Sequence, residues 1–128
     1  MGRRTAVELP ADLRPRLETA RLDLLALFRA LDRLDLSPAE IPQRLIRQLF
    51  DLDAGYAEAL WALDQPARTL DLPAVIRDTL AALDQLPEAA ARFRKNLPQR
   101  AHPRLAELEI SVRHGLDPLE AYNMIPGH

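Results

Sequence analysis

The chain has no cysteine among its 128 residues. That excludes a disulfide scaffold, a thiolate zinc site, an iron–sulfur centre and a thiol nucleophile. Glycine is scarce, at 4, and no glycine-rich loop is present to cradle a phosphate. The histidines are only His102, His114 and His128, with no His-x-x-x-His or Glu-x-x-His spacing to announce a metal site. Serine occurs only at Ser37 and Ser111, and no Gly-x-Ser-x-Gly is found, so a Ser-His-acid triad has little raw material. Neither sign of charge dominates: 17 Lys+Arg stand against 19 Asp+Glu, which leaves no global field to draw nucleic acid or a membrane. Uncharged runs fall far short of the ~18–20 apolar residues a membrane span needs. The start Met1-Gly2-Arg3-Arg4-Thr5-Ala6 matches neither myristoylation, which wants Ser or Thr where Ala6 stands, nor a secretory signal, because no apolar stretch follows the arginines. A soluble cytoplasmic protein with no cofactor is the expectation.

Leucine and alanine at helical spacing fill the chain instead. Hydrophobic residues make up 48%, and a chain of this length buries about two thirds of its unfolded surface, enough for one domain over 1–128. Eleven prolines punctuate it, and several open helices, where the missing N–H costs nothing. A first helix is expected over about Ala11–Leu34. Its seam is Leu13, Leu17, Ala20, Leu24, Leu27, Leu31 and Leu34, a strict heptad alternation of fours and threes. A coiled-coil dimer and a helix inside a bundle both fit that seam. In a parallel pair Arg16 would face Arg21 of the other chain and Leu22 would be wasted, so the bundle is favoured, with an antiparallel dimer kept as an option.

The second helix is expected over about Pro38–Leu63, opened by the capping box Ser37-x-x-Glu40. One stripe runs Ile41, Leu45, Leu49, Leu52, Tyr56, Leu60 and Leu63, and a second, Ile46, Phe50, Ala57 and Trp61, lies beside it. Apolar cover on two faces marks this helix as the expected hub. Asp53-Ala54-Gly55 is a point where it would bend or split. A third helix is expected over Pro73–Leu86, capped by Asp71, a fourth after Pro87, a fifth over Pro103–His114 stopped by a left-handed Gly115, and a short sixth over Pro118–Met124. No stretch alternates long enough for a strand. The fold expected is all-α: one bundle of five or six helices, with a long N-terminal antiparallel hairpin and shorter C-terminal helices packed on it. Residues 1–8 are read as a flexible lead-in, and 117–128 as a short helix and tail.

Three features bear on function. Arg92, Arg94, Lys95, Arg100 and Arg104 form a basic segment with no acid between Glu88 and Glu107, suited to phosphates or an acidic partner. Its one interleaved aromatic, Phe93, reads as core, and solvated helix ends explain such a run without a ligand. Tyr56 and Trp61 are anchors for a partner or core rings, and core is the commoner outcome at helical spacing. Tyr122 sits in an apolar tail with Met124 and Ile125 that would dock onto something. The reading is a small non-catalytic helical protein that binds a protein partner or itself through apolar helix faces. Two alternatives stand beside it: a nucleic-acid or phosphate-ligand binder using segment 92–104, and a helical-bundle enzyme or cofactor binder with an interior polar pocket.

Overall fold

In the computed structural model, which describes residues 10–65 and 71–116, four α-helices pack together: α1 (Leu13–Asp32), α2 (Gln43–Leu63), α3 (Leu72–Lys95) and α4 (His102–His114). Short 3₁₀ turns, Pro38–Glu40 and Gln99–Ala101, precede α2 and α4. The all-α class holds, and no strand occurs among the described residues. No described helix is long and apolar enough to cross a membrane. The expected lead-in 1–8 and the expected sixth helix lie outside the described residues.

Four helices stand where five were expected over the same stretch, because α3 runs through Pro87 without a break. Proline removes one intrahelical hydrogen bond and crowds the carbonyl four residues back, at a cost of roughly 3 kcal/mol in a helix interior. Burial on both sides of the proline offsets it. Thr79 and Leu83 are buried before Pro87, and Ala89, Ala90 and Phe93 after it. Beside this point the Tyr56 hydroxyl donates a 2.8 Å hydrogen bond to the carbonyl of Ala82. Asp71 caps α3 as its position suggests, its Oδ1 accepting from the Ala74 N–H at 3.2 Å.

Other boundaries moved as well. Ser37 and Glu40 do meet, the Ser37 N–H donating to Glu40 Oε1 at 2.9 Å. What they open is a single 3₁₀ turn. Pro42 holds Ile41 in the extended region (φ −97°, ψ 121°), so α2 starts only at Gln43. Gly55 does not split α2, which is continuous to Leu63. Gly115 ends α4 in the right-handed region (φ −84°, ψ −4°), its N–H donating to the Val112 carbonyl at 3.0 Å. No left-handed residue is needed there.

The hub is α1 and not α2. It packs against all three of the others, most on α4 and α2 and least on α3. Ten of its twenty residues are buried, against five of twenty-one in α2, so it is α1 that is surrounded. Its heptad seam from Leu13 to Leu31 lies within the core with Leu49, Tyr56, Phe93 and Leu105. Leu22, off the seam, is buried too, at 5% exposure. The seam is thus covered by the chain's own helices. Arg21, also buried, grips Asp53 of α2 with both ends of its fork, Nε to Oδ1 at 3.0 Å and Nη2 to Oδ2 at 3.2 Å. Arg14 reaches Asp64 at 2.7 Å. Early α1 thus meets late α2, which is the antiparallel hairpin expected.

Candidate functional site

The second apolar stripe of α2 divides once the helix is placed. Leu49, Leu52, Tyr56, Ala59 and Ala62 face the core. Ile46 and Ala57 are half-buried at the edge. Phe50 and Trp61 are exposed, at 50% and 60%. Eleven positions separate the two rings, which is about three turns, so they lie on one line some 16 Å apart. Ala54 lies between them and Gly55 on the flank of the helix, and both are exposed. A side chain at Gly55 would meet nothing within 4 Å. The result is a smooth strip with an aromatic ring toward each end. Phe50 leans one side on Phe28 of α1, ring centroids 4.5 Å apart and tilted by 39°. Trp61, the single tryptophan of the chain, presents most of its surface to water.

Charges border the strip in an ordered way. Arg44 and Arg47 stand in its N-terminal half, Asp51 and Glu58 beyond them, and all four are exposed. None of the four forms an ion pair among the described residues. That contrasts with the remaining acids and bases of the bundle, many of which are paired.

The basic segment 92–104 is a case of that pairing. It spans the last turn of α3, the second 3₁₀ turn and the start of α4. Arg92 holds Glu88 at 2.9 Å, and Arg94 holds Glu109 with bonds of 3.1 and 2.7 Å. Arg100 holds Glu40 at 2.6 Å and Arg104 lies 3.5 Å from Glu107. The Ser37 N–H, and after it the Arg100 guanidinium, hold the Glu40 carboxyl below the usual carboxylate range. Lys95 is exposed and makes no ion pair among the described residues. A run that reads as strongly positive along the sequence is largely neutralised in space, partly by Glu40, sixty positions away.

Of the other residues singled out from the sequence, Tyr56 is wholly buried and belongs to the core. Tyr122 lies outside the described residues. Sequence reasoning missed Phe50 as an exposed ring. The signal was its place on the second α2 stripe together with Trp61.

One cleft, of about 430 Å³, opens between α1, α3 and α4. Leu24, Leu27 and Ala90 floor it, Pro87 and Ile110 lie along its wall, and no residue of α2 lines it. The rim is held by two ion pairs, Arg94 to Glu109 and Arg113 to Asp23 at 3.0 Å. Each rim acid thus already faces a guanidinium, and His114 also lines the cleft. Among the described residues no group of three or more His, Asp or Glu is gathered to hold a metal ion. The chain matches no family model, no curated protein and no solved structure.

Proposed function

We propose that this chain is a small non-catalytic interaction protein that binds protein through the outer face of α2. The exposure of Phe50 and Trp61 on a single line of that helix carries the reading. Large rings left in water cost free energy unless something covers them, at roughly 25 cal/mol per Å² of apolar surface. Tryptophan and other aromatics are also the residues that most often anchor an interface. The smooth strip between them admits another helix at close range. The phosphate-ligand alternative is weaker, because the arginines it relies on each already hold a carboxylate. The pocket alternative rests on a cleft whose floor is apolar and whose rim charges are matched.

The test places a photo-crosslinking amino acid at Phe50 or Trp61 in cells that make the protein, with Gln85 on the exposed side of α3 as the control. A protein adduct from the two α2 positions and none from Gln85 is the expected result. Absence of any adduct from α2, or equal adducts from Gln85, overturns the proposal.

A further inference from the structure

We infer that the cleft between α1, α3 and α4 is closed by the chain's own C-terminal segment, residues 117–128, folded back from the end of α4. The cleft is a different surface from the outer face of α2, and the inference stands apart from the reading of that face. Its warrant is where α4 ends. Arg113 and His114, in the last turn of α4, line the cleft, and the last described residue, Leu116, is two positions on. The chain therefore leaves the bundle at the cleft mouth. Asp117 precedes Pro118, and a residue before proline is steered out of the helical region, which directs the chain off the α4 axis. The cleft runs along α3 from Leu86 to Arg94, about 12 Å of helix. Twelve residues follow Leu116. They reach about 18 Å as a helix and about 40 Å extended, so the segment is long enough in either form.

The cleft and the segment match in chemistry. Leu24, Leu27 and Ala90 give the cleft an apolar floor, and its sides leave further apolar surface in water: Pro87 of α3 is exposed, and Ile110 of α4 is 61% exposed. A dry cavity of about 150 Å³ lined by leucine and its like holds one benzene-sized group. The 430 Å³ of this cleft thus takes two or three side chains of about that size. The segment carries Leu119, Tyr122, Met124 and Ile125. Leu119 and Tyr122 are three positions apart, the spacing that puts both on one side of a helical turn. Tyrosine suits a cleft of this kind, its ring on the apolar floor and its hydroxyl at the charged rim, where the carboxylates of Asp23 and Glu109 have lone pairs to spare. Tethering favours this occupant over any free one. Only four residues, 115–118, separate His114 at the rim from Leu119, and so short a link gives an effective concentration on the order of millimolar.

Two measurements on the whole purified chain test this. The first places a photo-crosslinking amino acid at Pro87, exposed on α3 and remote in sequence from the segment, and separately at Phe50 on the other side of the bundle. After digestion, position 87 is expected to be joined to a peptide from 117–128 of the same chain, and position 50 is not. The second is a double-mutant cycle between Ile110→Ala and Tyr122→Ala. If Ile110 stays in water, its replacement by the better helix former should leave the melting midpoint unchanged or raise it. Covered by the segment, it should lower the midpoint by about 3–6 °C, and Tyr122→Ala should do the same. The two together should then cost little more than either alone, because the same contact is lost once. No link from position 87, an equal link from position 50, an unchanged midpoint for Ile110→Ala, or strictly additive shifts each overturn the inference. A link to 117–128 of a second chain, with a midpoint that rises with protein concentration, overturns it too, because the occupant is then another copy. Failure of the α2 face to capture a protein in cells bears on the proposed function alone and leaves these outcomes untouched.

Discussion

Arg21 is 8% exposed, and among the described residues its charge is answered by the carboxylate of Asp53, whose side chain is about a quarter exposed. A buried ion pair adds little net stability, because desolvation consumes most of the Coulombic gain. Breaking one is costly, since the remaining charge stays buried without its partner. Asp53→Ala should therefore destabilise the bundle by about 2–3 kcal/mol, at the lower end because Asp53 itself retains water. The double variant Arg21→Met/Asp53→Ala should recover most of that loss, and urea denaturation of the three proteins decides it. Asp53 also acts on Tyr56. Burial first, and the Asp53 charge second, push the Tyr56 phenol up to about 12. In the unfolded chain it titrates near 10. The folded state thus favours the protonated ring, and its contribution is complete below about pH 10. It is lost as pH rises through 12, and amounts to about 2–3 kcal/mol. Tyr56→Phe should lower stability at neutral pH by about 1 kcal/mol, through the hydrogen bond to Ala82, and flatten the alkaline decline. Urea midpoints at neutral pH and above about pH 11 give both comparisons, and an equally steep decline in the variant would show that another group titrates.

At the scale of the element, period and proline told different amounts. The α1 seam was legible because six apolar positions, Leu13 to Leu31, keep one spacing through the entire helix and are all buried, while the seventh, Leu34, falls past its end. The Asp71 cap was legible because the capping bond is local. Pro87 misled, since its cost is local while its compensation, the burial of Leu83 and Phe93 on either side, comes from other helices. The candidate face was half legible. The second α2 stripe was visible in the sequence, but which of its members face water depends on α1 taking the central place. The acids that neutralise Arg94 and Arg100 were invisible for a related reason, as Glu109 and Glu40 reach them only through the fold. Two substitutions measure these local costs. Pro87→Ala should stabilise by about 1–3 kcal/mol, because it restores a helical N–H opposite the Leu83 carbonyl. Gly55→Ala should add about 0.5–1 kcal/mol, because the new methyl meets no atom and α2 gains a better helix former. Thermal melts read both, and a lowered midpoint for Pro87→Ala would mean that the proline fits a bend the core requires.

The whole molecule turns on α1 being surrounded. Among the described residues no other helix packs extensively on all the rest, so unfolding α1 strips the apolar face of α4 and part of that of α2, and leaves α2 and α3 packed only on each other. Each remaining helix is left with a half-apolar surface and too few partners to hide it, and isolated helices of thirteen to twenty-four residues are marginal in water. Unfolding should therefore be a single transition. Trp61 sits near the end of α2 and reports locally, whereas far-ultraviolet circular dichroism reports all four helices. In urea, at concentrations low enough to keep the chain monomeric, the two signals should trace one curve. Leu27→Ala, at a position 1% exposed in the middle of α1, should shift both curves together, costing about 2–5 kcal/mol with the slope unchanged. Leu60→Ala, at a half-buried position of α2, removes the same atoms from the rim of the core and should cost less. If the Trp61 signal is lost at lower urea than the helical signal, α2 comes away together with α3, on which it packs most, while α1 and α4 persist, and the bundle is then two cooperative units.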